Sequence, residues 1–265
     1  MTAPVTDLAT VLAAGEMAVR GRFADASNST LLVTCRDGEA TVTGVFKPVA
    51  GMRPLHDFEA STLPAREVAA FELSAGAGWD CVPLTVWRES SQFGAGSVQE
   101  FIEQDGPADV VDVVPLPEAG AGVLTAFVGE DEEGEEVALV HQDLPGLRRL
   151  ALFDAVTNNA DRKAGHILQS RGALLGIDNG LTFHIDDKLR TVLWGWAGSQ
   201  LEAPERELLS RSRDFVRDSD GSERLGRLLA PQEVQALQSR IESLLEAGHL
   251  PHPDMLRRCI PWPVF

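Results

Sequence analysis

Hydrophobic and β-branched positions in the first fifty residues follow two different periods. Residues 29–37 and 39–49 are rich in Val and Thr, and Asp37-Gly38 between them is typical of a tight hairpin turn. Residues 4–19 instead place apolar side chains at helical spacing. The chain is therefore predicted to begin with a helix that leads into a β-hairpin.

A second helix and a second strand pair are predicted after the hairpin. Residues 62–78 predict a helix, because Pro64 suits the first turn of a helix and Gly78 suits its C-terminal end. Residues 82–89 and 96–103 then indicate two strands around a Gly-rich turn. Strands and one long helix thus alternate in this part of the chain.

A Pro-rich connection near residues 106–122 resembles a junction between two lobes. We therefore predict one lobe over residues 1–105 and a second over residues 106–265. After the connection, the acidic loop 129–136 lies between two apolar strand candidates, which predicts a solvated hairpin tip rather than a cation site.

From residue 145 onward the pattern is mostly helical. A short strand pair is predicted at 176–184 and 191–196, and residues 230–248 have the spacing of an amphipathic helix. The fold class that this order favours is α/β of the α+β type.

The net charge of the chain makes two classes of binding partner unfavourable. Its 265 residues carry a formal net charge of -17 at pH 7, and a field of that sign repels nucleic acids and anionic lipids. We expect no nucleic-acid partner and no stable membrane association, although a locally basic pocket could bind one phosphate group. Three scattered cysteines and the lack of a long apolar run predict a cytoplasmic location.

Lys47 lies in a predicted strand on the same face as Val45, and Pro48 favours an extended backbone there. A lysine that points inward needs an anion, and Glu67 on the following helix is a candidate. A strand lysine and a helix glutamate match the ion pair that holds the lysine against ATP phosphates in kinases. Lys47 could instead be a surface residue of an edge strand.

Ser27 and Asn28 lie in a run of small polar residues before the hairpin, where backbone N–H groups could approach phosphate oxygens. An ordinary Ser/Asn turn explains the same residues. The sequence contains no Walker-type phosphate loop.

The segment 154–168 concentrates polar residues between apolar flanks. It contains Asp161 and His166, and Asp178 follows in the sequence IDNG. One carboxylate could orient or deprotonate a hydroxyl nucleophile while the other holds a divalent cation against phosphates. Alternatively, Asp161 could cap a helix and Asp178 could form an Asx turn.

Two of these segments resemble motifs of one enzyme superfamily. NADRKAGH (159–166) resembles the N-x-D-R-x-x-x-N catalytic loop of the phosphatidylinositol 3- and 4-kinase superfamily, which includes bacterial persister-toxin kinases. GIDNGLTF (176–183) resembles its metal-binding segment. The Lys47 strand and residues 66–86 are similar to the same parts of these atypical kinases and of an actinobacterial branch of proteins. The resemblance runs from about residue 22 to residue 185.

The resemblance implies a two-lobed protein-kinase-like fold, with an antiparallel sheet and one helix in the N-lobe and a mostly helical C-lobe. It implies that Lys47 contacts the phosphates of ATP and that Glu67 pairs with Lys47. Asp161 would be the catalytic acid–base residue, and Asp178 would bind Mg²⁺.

The same resemblance implies supporting roles in the catalytic loop for Asn159 and Arg162. It also implies that the adenine meets the backbone at Gln99, Glu100 and Phe101.

One position departs from the family pattern. His166 stands where the family usually has an asparagine that helps to bind a second metal ion, and imidazole suits Mg²⁺ less well than an amide oxygen does. A softer ion such as Mn²⁺, a one-metal mechanism and a role for His166 other than ligation remain open.

The sequence thus predicts an ATP-dependent kinase that transfers the γ-phosphoryl group to a hydroxyl of a small molecule, an inositol-type compound or a protein. The expected cofactors are ATP and Mg²⁺, with Mn²⁺ as an alternative. A protein adenylyltransferase on the same fold and a nucleotide-binding pseudokinase with a regulatory role are the alternative functions.

Overall fold

The computed structural model describes residues 7–23, 29–106, 109–120 and 122–265. Ser27 and Asn28, the predicted phosphate-contacting residues, lie outside the described residues.

The N-terminal part contains a five-stranded antiparallel sheet. Its strands are β1 (Glu16–Arg22), β2 (Leu31–Asp37), β3 (Ala40–Pro48), β4 (Thr85–Arg88) and β5 (Gly96–Glu100), in the spatial order β1-β2-β3-β5-β4. Alternate residues of β2 and β3 are buried, as expected for strands with one covered face. Helix α1 (Leu8–Ala14) covers that face with Val11 and Leu12.

The first helix is shorter than predicted, because residues from Glu16 onward belong to β1. Gly15 ends the helix, and a Cβ at this position would lie 2.8 Å from the Arg36 carbonyl oxygen of the neighbouring strand. Antiparallel pairing then places Met17 opposite Cys35. The helix prediction was wrong beyond Gly15, since pairing within a sheet outweighs weak helical spacing.

Helix α2 (Leu63–Ala77) joins the sheet to the second half of the molecule. Pro64 lies in its first turn and Gly78 ends it with a φ of 75°, as predicted. The helix packs against β4 and β5 on one side. On the other side it packs against α4 (Ala203–Arg217) and α5 (Ser219–Gly226). Both halves of the molecule therefore fix its position.

The second half combines a small sheet with the remaining long helices. Strands β6 (Val111–Pro115), β7 (Val123–Glu130) and β8 (Glu136–Gln142) pair in the order β6-β8-β7. The acidic residues between β7 and β8 form an exposed hairpin tip, as predicted. Helices α3 (Pro145–Thr157) and α6 (Pro231–Ala247) pack together with α4 and α5 around the main hydrophobic core.

The short strand pair lies earlier than predicted. Strand β9 (Ile167–Ser170) pairs with β10 (Ala173–Gly176). The segment that follows, predicted as a strand, turns at Asp178 and Phe183, which have positive φ values of 56° and 62°. The strand ends at Gly176: beyond it, the Asn179 N–H donates to the Glu67 side chain and the Phe183 N–H to the Thr157 carbonyl oxygen at the end of α3, so the prediction for 176–184 was wrong. Residues 191–196 are also not a strand, since Trp194–Trp196 form a 3-10 turn.

The α+β fold class is confirmed. The chain has the predicted two-lobed arrangement, with an antiparallel sheet in the N-lobe and a mostly helical C-lobe. The boundary between residues 105 and 106 stays a prediction. Among the helices of the described ranges, none has both the length and the apolar character needed to cross a membrane.

Candidate active site

A cleft of about 770 Å³ separates the N-terminal sheet from the polar segments of the second half. It is lined by the side chains predicted to carry the chemistry, namely Lys47, Glu67, Asp161, His166 and Asp178. The fold thus brings together residues from a strand, a helix and two loops.

Lys47 forms ion pairs with two carboxylates. Its Nζ donates to Oε1 of Glu67 and, at 2.7 Å, to Oδ1 of Asp178. Burial alone would lower the Lys47 pKa, but the charges of Asp178 and Glu67 outweigh it and raise the pKa above the ordinary value. Because β3 lies between β2 and β5, Lys47 is not on an edge strand, and the surface alternative is excluded.

Glu67 links α2 to the segment after β10. Its side chain is almost fully buried, and Oε2 accepts the backbone N–H of Asn179 at 2.9 Å. Burial raises the Glu67 pKa, and the charge of Lys47 opposes that rise. The carboxylate is therefore held by one ammonium and one backbone donor in a desolvated position.

Asp178 lies at the turn after β10 and keeps half of its side chain exposed toward solvent. The Lys47 ammonium holds the pKa of this carboxyl well below its usual range. Asp178 is thus an anion at every pH at which the protein is expected to work.

The pKa of the Asp161 carboxyl lies above its ordinary value. Burial raises its pKa to about 6, although the nearby Lys163 ammonium, 3.8 Å from Oδ2, acts in the opposite direction. The element after Asp161 is a single 3-10 turn, Ala164–His166, for which Lys163 occupies the cap position. The structure therefore does not support the helix-cap alternative.

Asn159 and Arg162 lie behind the cleft and do not line it. The Asn159 side chain accepts the Asp161 backbone N–H at 2.9 Å and donates to Oδ1 of Asp154 at 3.1 Å. The Arg162 guanidinium also pairs with Asp154, and both of these side chains are fully buried. This network fixes the backbone conformation at Asp161.

Arg162 extends the same network to the residues beside Asp178. It donates at 2.7 Å both to the Ile177 carbonyl oxygen and to Oδ1 of Asn179. The residues on either side of Asp178 are therefore anchored to the loop 159–166 through one guanidinium, which is the kind of support that a catalytic geometry would need.

His166 contacts both aspartate segments through its ring nitrogens. Its Nδ1 lies 2.9 Å from the Asp161 carbonyl oxygen, and its Nε2 lies 3.3 Å from Oδ2 of Asp178. Burial lowers the His166 pKa to about 4, so the ring is neutral. In the tautomer with the proton on Nδ1, a nitrogen lone pair faces the Asp178 carboxylate, an arrangement that a cation would stabilise.

The second ring nitrogen of His166 also has surroundings that suit a metal ligand. Imidazoles that ligate metals usually donate their other N–H to a carbonyl or carboxylate, and the Asp161 carbonyl oxygen is placed to accept from Nδ1 of His166. Among the described residues, no group of three or more His, Cys, Asp or Glu side chains is arranged to hold a metal. A bound ion would therefore take only His166 and Asp178 from the side chains, and phosphate and water oxygens would complete its coordination.

Gln99, Glu100 and Phe101 line the cleft at the end of β5. The N–H groups of Glu100 and Phe101 donate to the Leu84 and Thr43 carbonyl oxygens. The Gln99 side chain is buried. A nucleobase bound here would have to use carbonyl groups or the loop that follows β5.

Two residues that contribute to the site were not predicted from the sequence. Asp154 was overlooked as the anchor of the loop 159–166, although a carboxylate inside the apolar run of α3 was a signal for it. Trp262 also lines the cleft, and 72% of this residue is exposed. It belongs to a C-terminal segment attached to the loop 159–166 by the Ala164 N–H, which donates to the Val264 carbonyl oxygen at 2.9 Å.

Comparison with known proteins gives a relative over nearly the whole chain. The sequence is 40% identical over 265 residues to Protein Rv2133c of Mycobacterium tuberculosis, covering 96% of this chain and 94% of the mycobacterial protein. The chain belongs to the Rv2133c family. That name states no activity, and no family model matches the chain.

Among solved structures, the Helicobacter pylori proinflammatory kinase CtkA matches 90% of this chain and 94% of its own, with 10% identity and a TM-score of 0.39. A likeness at this level supports no argument about the site. The chemistry assigned to this member of the Rv2133c family therefore rests on its own geometry.

Proposed function

We propose that this protein is an ATP-dependent kinase that transfers the γ-phosphoryl group to a hydroxyl of a small molecule, an inositol-type compound or a protein. One observation carries the proposal: Lys47 lies between Glu67 of the N-lobe helix and Asp178 of the second half, in the cleft that also contains Asp161. A strand lysine paired with a helix glutamate, opposite a metal-binding aspartate, is the arrangement that kinases use to hold ATP.

Each charged group has a role that follows from its surroundings. Lys47 would bind the phosphates, and Glu67 would keep its ammonium in place. A divalent ion, Mg²⁺ or Mn²⁺, would be held by Asp178 and His166. Such an ion, when bound, neutralises charge that develops on the phosphate oxygens.

Asp161 would act on the acceptor. The hydroxyl oxygen of the acceptor forms a bond to the γ-phosphorus, and the bond from that phosphorus to the β–γ bridging oxygen breaks, so that ADP leaves. The hydroxyl proton passes to the Asp161 carboxylate. A base whose pKa is about 6 is largely ionised near neutral pH. Its pKa is also close enough to that pH for the base to accept a proton efficiently.

The acceptor is expected to be a molecule free in solution rather than a lipid in a bilayer. The net charge of -17 opposes approach to an anionic surface. A cytoplasmic location is part of the same proposal.

Labelled nucleotide tests the proposal. Purified protein is incubated with a metabolite extract and either γ-labelled or α-labelled ATP, and Asp161→Asn serves as the inactive control. The proposal expects label in a product only from γ-labelled ATP and only with the wild type. Label from α-labelled ATP would indicate adenylyl transfer, and tight ATP binding without any transfer would indicate a pseudokinase.

A further inference from the structure

A second and larger cavity, of about 1170 Å³, shares no lining residue with the cleft. It is bounded by one face of α6, by the segment 185–190 and by the C-terminal segment around residues 249–259. None of these elements was assigned a function from the sequence.

The lining of this cavity is basic, in contrast to the rest of the chain. It contains five permanently cationic side chains, Lys188, Arg190, Arg240, Arg257 and Arg258, together with two histidines. Three carboxylates, Asp186, Asp187 and Asp254, accompany them. A local excess of positive charge in a protein of net charge -17 needs a physical reason.

Some of these cations are paired within the protein. Lys188 forms an ion pair with Asp57 at 2.9 Å, and Arg257 lies 3.4 Å from Asp254. Arg190, Arg240 and Arg258 have no carboxylate within 4.0 Å among the described residues. These three guanidinium groups are the ones available to a ligand.

Two of the three also have buried nitrogens without an acceptor. Within the described parts of the chain, Nε of Arg190 and Nη2 of Arg240 are shielded from solvent and have no hydrogen-bond partner. A buried donor left without a partner costs about 1–3 kcal/mol, and more when the group is charged. Burial lowers the Arg240 pKa to about 10, against the opposing effect of the Asp187 and Glu233 charges.

Hydrogen bonds hold the Arg240 guanidinium and the Arg190 backbone in place. Nε and Nη1 of Arg240 donate at 3.1 Å to the Val156 and His184 carbonyl oxygens, which fixes the direction of Nη2. The Arg190 backbone N–H donates to the Asn159 carbonyl oxygen, and its carbonyl oxygen accepts the Arg162 N–H. The Arg240 guanidinium is therefore preorganised for an acceptor.

We propose that this cavity is a binding site for a small anionic ligand that carries a phosphate group, held by Arg190, Arg240 and Arg258. Planar guanidinium groups match the oxygen geometry of phosphate and form charge-assisted hydrogen bonds with it. The neutral polar residues of α6 that line the cavity, Gln232, Gln235, Ser239 and Ser243, supply donors and acceptors for the remainder of the ligand. The site is independent of the proposed transfer reaction.

Tryptophan signals can separate the two cavities. Trp194 lines the basic cavity and Trp262 lines the cleft. In ¹⁵N-labelled protein with EDTA, inorganic phosphate is titrated at constant ionic strength, and the indole N–H signals are assigned with Trp→Phe variants. We expect the Trp194 signal to shift with a saturable curve while the Trp262 signal stays in place.

Variants test which side chains hold the phosphate. Arg190→Gln and Arg258→Gln should each weaken phosphate binding at least about threefold, the scale of one lost charge-assisted contact. Arg227→Gln is the matched control, because Arg227 is an exposed arginine outside the cavity that pairs with Glu223. Equal weakening by the control, no shift of Trp194, or a shift of Trp262 alone would overturn the proposal.

Discussion

Lys47 and Asp178 are 131 positions apart in the sequence, yet Nζ of the lysine lies 2.7 Å from Oδ1 of the aspartate. The contact joins the central region of the N-terminal sheet to the turn after β10. Each charge shifts the proton affinity of the other toward the ionised form. The cleft therefore keeps one fixed cation and one fixed anion side by side.

Replacement of Lys47 tests this relationship. Lys47→Met should weaken the binding of metal–ATP by roughly tenfold or more and should reduce turnover, because it removes a charge that faces the phosphates. Calorimetric titration with ATP and Mg²⁺ measures the affinity. Lys188→Met is the control, since Lys188 is about as exposed as Lys47 and is also paired with a carboxylate, but outside the cleft. Similar losses in both variants would remove Lys47 from the nucleotide site.

Metal dependence tests the pair formed by His166 and Asp178. ATP should bind only weakly in EDTA, and Mn²⁺ should support binding at least as well as Mg²⁺, because imidazole is a better ligand for Mn²⁺. His166→Asn should shift the preference toward Mg²⁺, since an amide oxygen suits the harder ion. Calorimetry in EDTA, Mg²⁺ and Mn²⁺ gives the three affinities. Equal affinity in all three would rule out a metal at Asp178.

The pH dependence of turnover should follow Asp161. As a base, this residue must be ionised, and its raised pKa makes the ionised fraction fall as the pH drops through about 6. We expect kcat/KM to rise with pH, to reach half of its maximum near pH 6 and to level off above that. His166, with a pKa of about 4, stays neutral throughout this range.

ATP affinity measured at the same pH values is the control for that profile, because phosphate groups also titrate near pH 6. A flat profile between about pH 5 and 8, with constant ATP affinity, would contradict the assignment of Asp161 as the base.

The parts of the site that were predictable depend on local sequence relationships. Lys47 and Glu67 lie on a strand and the next helix, so their pairing follows from alternation within the strand and from the short connection between the two elements. Asp154 and Trp262 could not be placed in this way. The first acts through the buried network around Arg162, and the second reaches the cleft only because the C-terminal segment attaches to the loop 159–166.

Two of the segments whose secondary structure was predicted wrongly differ from the prediction for the same physical reason. Residues 16–19 have helical spacing but gain a complete ladder with β2. Residues 176–184 contain apolar positions at strand-like spacing, yet the Asn179 N–H is used by Glu67 and the turn at Asp178 is held by tertiary contacts. In both segments, contacts with residues distant in sequence outweigh the local pattern.

The buried pair of Asp154 and Arg162 should be important for stability. Asp154→Asn would leave the fully buried Arg162 guanidinium without its counter-ion, and breaking a buried pair in this way typically costs about 3–5 kcal/mol. Chemical denaturation measures the free energy of unfolding. Asp214→Asn is the control, because Asp214 pairs with Arg213 at the surface and such changes stay within about 0.5 kcal/mol. A loss below about 1 kcal/mol for Asp154→Asn would contradict the anchoring role.

The most direct test of the proposed chemistry is to measure ATP affinity and phosphoryl transfer together in Asp161→Asn. The variant should fold normally, because it removes a carboxylate whose ionised form is disfavoured by burial. If Asp161 accepts the acceptor proton while Lys47 and Asp178 hold the metal–nucleotide complex, ATP affinity should stay within a few-fold of the wild type, and turnover should fall by roughly a hundredfold or more. Transfer at close to the wild-type rate in this variant would contradict the account.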